Sequence, residues 1–149
     1  MKRETFLDKE VGYKYTTEEI AITPEDVDTI YTFLGQRETI FTDDNFAKSL
    51  ELNLQGKIVA GAFTLLMRGK LEGTVGLAYD AVQLGMNDVK FISPAYVGNH
   101  LRLEGELLNK RTTSKGHVVV TWQWTVKNQD DTDIVTGVTT EMFAKSIAA

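Results

Sequence analysis

The residues that could carry acid–base chemistry lie close together in the first third of the chain. Glu38, Asp43 and Asp44 supply carboxylates, and a carboxylate can serve as a general base toward water or a substrate proton. His100 and His117 begin late strands without a motif around them, and we expect both to be ordinary residues beside turns. The chain has no cysteine, which excludes thiolate catalysis and disulfides, and no spacing of histidines and carboxylates predicts a metal site.

A second chemical feature is the predicted start of a long helix at Gly61. The first N–H groups of a helix lack partners within the helix, and together with the helix dipole they attract a negatively charged oxygen. The small residues Ala60 and Ala62 on either side allow a ligand to approach this end closely. The alternative is that Gly61 serves only the close packing of helix and sheet, and the sequence favours neither explanation.

Helical signals fill the front half of the chain. Thr23 and the proline after it predict a helix that ends at Gly35. A short helix is predicted over residues 43–50, capped by Thr42, and the main helix over residues 59–78. The residues expected to face inward from these two helices are Phe46, Leu50, Phe63, Leu66, Met67 and Leu71.

The second half of the chain is predicted to form strands, over residues 89–96, 101–111, 117–127 and 134–143. The alternation of apolar and polar residues is clearest in the second and third of these. Helices followed by an antiparallel meander predict a single α+β domain over residues 1–149. The long helix must bury its apolar stripe against the concave face of the sheet, which is the arrangement of the hot-dog fold.

The segment from Thr32 to Met67 carries an ordered set of residues. They are Gly35, Ile40, Thr42, Asp43, the stretch Phe46–Lys48 and the stretch Gly56–Val59. This order resembles the active-site segment of the MaoC-like (R)-specific enoyl-thioester hydratases and dehydratases, roughly G-D-x-N-P-[IL]-H-[TL]-D, an F-A stretch and a glycine-rich lead-in to H-G-M. Residues 6–12 and 89–99 resemble the opening turn and the R-F-x-x-P-V-x-x-G-D strand of the same family, so the resemblance spans nearly the whole chain and implies its hot-dog fold.

The chain departs from this family at the residues that move protons. Gln36 stands where the family has its catalytic aspartate, Phe41 where it has its catalytic histidine, and Ala60 where it has a second histidine. In the family the acid–base pair activates water and protonates the α-carbon, while N–H groups at the start of the central helix stabilise charge on the thioester oxygen. Because glutamine and phenylalanine exchange no proton at neutral pH, the resemblance implies a thioester ligand and leaves hydratase activity open. The implied site consists of the catalytic-motif positions Gln36, Glu38, Phe41 and Asp43 and the thioester-binding positions Ala60, Gly61 and Ala62.

Two alternative assignments of the motif stay open. In a rival register the stretch Asp43–Lys48 lies on D-x-N-P-x-H, which keeps an aspartate and puts Lys48 on the histidine. Glu38 stands at the motif's asparagine position, where it is either a surrogate base or a solvated loop charge. The phosphates of a coenzyme A or carrier-protein arm would need cations, and the candidates are Lys57, Arg68, Lys70, Lys110 and Arg111.

Three functional hypotheses follow from this resemblance. The leading one is a MaoC-like protein that binds an acyl or enoyl thioester of coenzyme A or of an acyl carrier protein, with no other cofactor. The second is a non-catalytic subunit that pairs with another hot-dog chain carrying the acid–base residues. The third is a thioesterase that uses Glu38 or Asp43 to activate water.

Charge and composition bear on partners and location. The net charge of −5 argues against nucleic-acid binding, which needs a basic surface to neutralise phosphates. No apolar run reaches the roughly 18 residues of a membrane span, and MKRETFLDKE lacks the apolar core of a signal peptide, so we expect a cytoplasmic protein. A small sheet around one helix leaves an unpaired edge, which predicts a homodimer or a higher oligomer.

Overall fold

The computed structural model describes residues 3–149 and consists of an antiparallel sheet with helices packed against it. The helices are α1 (Pro24–Leu34), α2 (Thr39–Thr42), α3 (Asp44–Ser49), α4 (Gly61–Val75) and α5 (Lys145–Ala148). The strands are β1 (Lys14–Thr16), β2 (Ile20–Ala21), β3 (Ala81–Phe91), β4 (His100–Thr112), β5 (Val118–Lys127) and β6 (Asp133–Phe143). The sheet order is β1-β4-β5-β6-β3, and β2 also pairs with β4. Helix α4 packs on β4 and β6, which confirms the predicted α+β architecture.

Helix α1 begins and ends where the sequence predicts. The Thr23 hydroxyl accepts a hydrogen bond from the Asp26 N–H at 3.1 Å, and Pro24 occupies the first turn, where its missing N–H costs nothing. The helix ends at Gly35, whose φ of +68° lies in the left-handed region that glycine adopts without strain. Tyr31 is the buried residue of this helix, and it becomes important at the site.

The short helix predicted over residues 43–50 is confirmed as α3, but the prediction that Thr42 caps it is wrong. Thr42 is instead the last residue of α2, and the Asp43 side chain caps α3 by accepting the Phe46 N–H at 2.9 Å. The extended backbone of Asp43 separates the two short helices and points this carboxylate at the first turn of α3. Phe46 was expected to face inward but is 41% exposed, and Ala47 is the buried residue of α3.

Helix α4 buries one face against the sheet. The expectation that Leu66 belongs to this face is wrong, because Leu66 lies about 100° around the helix from its buried neighbour Met67 and is 49% exposed. The helix is also shorter than the predicted 59–78, since it begins after non-helical backbone at Ala60 and ends at Gly76. The apolar residues of the buried face are Phe63, Met67 and Leu71.

Strands β4 and β5 confirm the predicted alternation. Successive side chains point to opposite faces of a sheet, so every second residue is buried from Leu101 to Leu107 and from Val120 to Val126. The sequence did not predict the short strands β1 and β2, because segments of two or three residues are too short to show the alternation of apolar and polar residues. The fully buried apolar residues of β4 and β5 are Leu101, Leu103, Leu107, Val120, Trp122, Trp124 and Val126.

Strand β3 differs most from its prediction, because it starts and ends earlier than residues 89–96. Its pairing with β6 shifts register between Gln83 and Gly85 and again between Asn87 and Lys90. Gly85 and the Asn87-Asp88 pair lie at these bulges, inside the strand. Because such residues are typical of turns, the sequence pattern did not reveal the first half of β3.

Strand β3 is also an edge of the sheet. It pairs with β6 on one side, and within residues 3–149 no strand pairs with its other side. Its apolar side chains Val82 and Leu84 are 58% and 51% exposed. A free edge with exposed apolar residues is a surface on which a further strand could pair.

Candidate ligand site at the start of helix α4

The N-terminus of α4 presents unpaired backbone donors. The Ala60 carbonyl accepts the N–H groups of Phe63 at 2.9 Å and Thr64 at 3.3 Å. Among residues 3–149, the N–H groups of Gly61 and Ala62 have no hydrogen-bond partner. The positive end of the helix dipole adds to them, so this end can stabilise a negatively charged oxygen.

A cleft of about 420 Å³, here called the Gly61 cleft, opens at this end of α4. Its volume lies in the range of small-molecule sites, about 300–1,000 Å³. Thr64 and Ser93 are its polar side chains, and among the described residues none that line it is ionisable. The lining residues are Phe41, Leu54, Ile58, Val59, Gly61, Thr64, Phe91, Ile92, Ser93, Pro94, Ala95 and Ile134. The cleft therefore suits an apolar ligand with one polar group placed near the free N–H groups.

A second cleft of about 310 Å³, here called the α1 cleft, lies beneath helix α1. It is also mainly apolar, with Asp28 and Lys57 as its charged residues. Phe41, Ile58 and Val59 line both clefts and form the wall between them. The remaining lining residues of the α1 cleft are Pro24, Val27, Tyr31, Thr42 and Val97.

Gly61 lies in close contact with the Phe91 ring. A methyl group at this position would lie 2.8 Å from Cε1 of Phe91, closer than real side chains approach. Phe91 is itself 56% exposed and lines the Gly61 cleft. Packing therefore accounts for a glycine at this position, because it lets the Phe91 ring lie against the helix. The free Gly61 N–H leaves its role in ligand binding a prediction.

Tyr31 fixes the backbone immediately before α4. Its hydroxyl accepts the Ala60 N–H at 2.9 Å and donates to the Ile58 carbonyl at 3.5 Å. Burial raises the pKa of the Tyr31 hydroxyl, which keeps the proton that this second bond uses. The sequence gave no sign of this contact, because it joins residues 29 positions apart.

The motif positions do not all reach the clefts. Phe41 does, because its half-buried ring lines both and lies 6.0 Å from the Tyr31 ring centre. Gln36 is half-buried, and its amide donates to the exposed Glu38 carboxylate at 3.5 Å. Asp43 is exposed and occupied as the cap of α3. Of the four predicted catalytic positions, only Phe41 lines a described cleft.

The three positions predicted to bind the thioester are consecutive in the chain at the start of α4. Gly61 lines the Gly61 cleft, Ala60 is buried beneath it, and Ala62 is exposed beside it. In the rival register the histidine position falls on Lys48, which is exposed in the last turn of α3 and lines neither cleft.

Two of the candidate phosphate-binding cations have structural roles instead. Arg68 is buried and pairs with Glu72 at 2.7 Å. Lys110 donates from Nζ to the carbonyls of Leu7 at 2.6 Å and Lys9 at 3.1 Å. Lys57 is the candidate that borders a described cleft, the one beneath α1.

A buried charged cluster lies between α4 and the sheet, away from Gly61. The Arg68 guanidinium pairs with Glu72 and lies 5.2 Å from the Trp124 ring centre. Glu141 accepts the Trp122 indole N–H at 3.3 Å and shares a hydrogen bond with Glu72. Burial, with the neighbouring Glu72 charge, raises the pKa of Glu141 to about 8, and burial also raises the pKa of Glu72. At neutral pH the cluster therefore holds one proton between two carboxyl groups and remains electrically balanced.

Two features are absent from residues 3–149. None of their helices is long and apolar enough to cross a membrane. No group of histidine and carboxylate side chains among them could bind a metal ion.

Solved structures share this fold at low sequence identity. A MaoC-like dehydratase from Rhodospirillum rubrum has a TM-score of 0.77 at 18% identity, with 91% of this chain and 92% of that chain covered. The R-hydratase PhaJ1 from Pseudomonas aeruginosa has a TM-score of 0.72 at 23% identity, covering 94% and 85%. The HadBC complex of Mycobacterium tuberculosis, a (3R)-hydroxyacyl-ACP dehydratase, has a TM-score of 0.73 at 14% identity, covering 91% and 98%. These similarities establish the hot-dog fold.

The family follows from the sequence match. No curated protein sequence matches the chain significantly. The profile of the MaoC like domain matches residues 7–128, which contain the segment around Phe41, helix α4 and strands β1 to β5. With its antiparallel sheet packed on one long helix, this chain belongs to the MaoC-like dehydratase domain family.

Proposed function

We propose that the protein binds an acyl or enoyl group carried as a thioester on coenzyme A or on an acyl carrier protein. The observation that carries the proposal is the pair of unpaired N–H groups of Gly61 and Ala62 beside an apolar cleft. A thioester offers a carbonyl oxygen for these donors and an apolar chain for the cleft. Structural relatives named as an R-hydratase and a hydroxyacyl-ACP dehydratase support the same ligand class.

We further propose that this chain has little or no hydratase activity of its own. Gln36 and Phe41 occupy the positions of the family's acid–base pair, and the described lining of the Gly61 cleft carries no ionisable side chain. Losing a positioned acid or base removes about 10² to 10⁴ in rate for each group. Addition of water to crotonyl-CoA, followed by the loss of enoyl absorbance, should therefore be slow or absent.

Binding is tested with crotonyl-CoA in isothermal titration calorimetry, with free coenzyme A as the reference ligand. Gly61→Ala should weaken crotonyl-CoA binding about tenfold. The new methyl group overlaps the Phe91 ring, and the resulting crowding should prevent about one hydrogen bond between the thioester oxygen and the free N–H groups. Gly73→Ala is the matched control on the same helix, where a methyl group meets nothing within 4 Å. Equal affinity for crotonyl-CoA and coenzyme A in the unmodified protein would contradict the proposed function. Equal affinity of Gly61→Ala and Gly73→Ala for crotonyl-CoA would show that Gly61 does not take part in binding.

Pairing through β3 is part of the proposal. The edge is free within the described residues and exposes Val82 and Leu84, which supports a homodimer or a pair with a second hot-dog subunit. In the second case this chain would be the non-catalytic partner and shape the acyl site. Light scattering on the purified chain, alone and after co-expression with an intact family member, distinguishes the two. A monomer under both conditions would refute pairing.

A thioesterase has less support from the geometry. Its proposed carboxylates, Glu38 and Asp43, are both exposed and line neither of the two clefts. We therefore infer binding without hydrolysis, and release of thiol from acyl-CoA would contradict this inference.

The proposal treats residues 1–149 as one domain acting in the cytoplasm. The absence of cysteine suits a reducing compartment, and the net charge of −5 suits a small-molecule ligand better than a nucleic acid.

A further inference from the structure

The Gly61 cleft and the α1 cleft meet at one thin wall. Phe41, Ile58 and Val59 line both, so the two spaces are separated by the width of these side chains. Both clefts are mainly apolar. A ligand that enters at Gly61 and needs more apolar surface than the first cleft offers would meet this wall next.

The backbone part of the wall is firmly held. The N–H of Ile58 donates to the Ile40 carbonyl at 3.3 Å, and the N–H of Val59 donates to the Ala95 carbonyl at 2.8 Å. The Tyr31 hydroxyl holds the next residue at 2.9 Å. Main-chain atoms anchored at successive residues cannot withdraw without loss of these bonds.

Three side chains complete the wall, and the Phe41 ring is the largest of them. Phe41 is half-buried, and its side chain packs at 6.0 Å from the Tyr31 ring centre, with an angle of 51° between the ring planes. Removing or shrinking this ring changes the wall without touching the hydrogen bonds that hold the segment before α4.

We propose that the two clefts are halves of one acyl channel that the Phe41 ring keeps separate, so that Phe41 limits the acyl chain to a short one. The proposal rests on the proposed function, because it assumes that the thioester carbonyl lies at Gly61. It adds that the accepted substrate class is short-chain acyl thioesters.

The test compares butanoyl-CoA and octanoyl-CoA by isothermal titration calorimetry. Each methylene that becomes buried favours binding by roughly fourfold, so a longer chain gains affinity only where the channel admits it. The unmodified protein should bind octanoyl-CoA no more tightly than butanoyl-CoA. Phe41→Ala should raise the ratio of octanoyl-CoA to butanoyl-CoA affinity by about tenfold or more. Phe41→Leu should raise it less, because a smaller part of the ring volume is removed.

Phe46→Ala is the matched control. Phe46 lies in the neighbouring helix α3, is 41% exposed and lines neither cleft, so its removal should leave the ratio unchanged. Phe41→Leu keeps an apolar side chain against Tyr31 and so preserves a folded test protein if the alanine variant is unstable.

The outcomes separate this inference from the proposed function. An unchanged ratio in both Phe41 variants, with butanoyl-CoA still bound, overturns the role of Phe41 and leaves acyl binding standing. Tighter binding of octanoyl-CoA than of butanoyl-CoA by the unmodified protein also overturns it, because the channel would then already be open. If the unmodified protein binds neither acyl-CoA more tightly than coenzyme A, the proposed function and the inference both fall.

Discussion

Glu141→Gln should remove most of the pH dependence of stability between about pH 5 and pH 8. Glu141 is 5% exposed, and its pKa is raised to about 8 from an ordinary value of 4.5. Between these values the folded protein holds a proton that the unfolded chain has released. The free energy of unfolding therefore decreases as pH rises through this window and is highest below it.

The size of the effect follows from the same two values. One proton bound in the folded state and lost in the unfolded state changes the free energy of unfolding by about 1.4 kcal/mol per pH unit. Since the slope flattens near pH 8, the unmodified protein should lose roughly 2 kcal/mol between about pH 6 and pH 8. The glutamine amide can still donate to Glu72 and accept the Trp122 indole N–H, but it releases no proton, so the variant should hold its stability across the range.

Urea unfolding followed by tryptophan fluorescence measures this directly. Both tryptophans of the chain, Trp122 and Trp124, lie in the cluster, so their emission reports its opening. Glu19→Gln, at an exposed position before β2, is the matched control and should follow the unmodified protein. Equal free energies of unfolding at both pH values in the unmodified protein, or an equally steep loss in Glu141→Gln, would refute the reasoning.

Two further substitutions probe the same core. Arg68→Met should destabilise the protein by about 3–5 kcal/mol, because it leaves a buried carboxylate without its cation, whereas Arg111→Met at an exposed position should cost less than about 1 kcal/mol. Gly137→Ala should cost about 1–3 kcal/mol, because its methyl group would lie 2.4 Å from the Trp124 ring, whereas Gly85→Ala meets nothing within 4 Å and should cost less. Thermal unfolding of each pair checks both, and equal stability within either pair would contradict the corresponding argument.

The sequence predicted the elements whose pattern is local. The alternation in β5 specified which residues, Trp122 and Trp124 among them, face the helix, because a strand places every second side chain on one face. The start of α1 was readable because its cap and first-turn proline lie side by side in the chain. Strand β3 was only partly readable, because its bulges bring Gly85 and an Asn-Asp pair into the strand and these residues are typical of turns.

The sequence indicated part of the candidate site and none of its contacts, since Gln36, Glu38 and Asp43 line neither cleft. The resemblance placed Phe41 and Gly61 in the same site, and both line the Gly61 cleft. The bonds of Tyr31 to the segment before α4 and the packing of Phe91 on Gly61 join residues far apart in the chain, so no local pattern could reveal them. Leu66 is exposed while the next residue, Met67, is buried, and Asp43 rather than Thr42 caps α3. In both cases a shift of one residue along the chain changes the role of the side chain.

The bulges of β3 have a consequence for any chain that joins this edge. Between Asn87 and Lys90 the ladder to β6 is interrupted, and Asp88 adopts a φ of +53°, so the donors and acceptors on the outer side of β3 do not form one regular row. An incoming strand must carry a matching irregularity or stop short of it. The irregular edge thus discriminates among partners by shape, and it discourages the indiscriminate strand stacking that leads to aggregates.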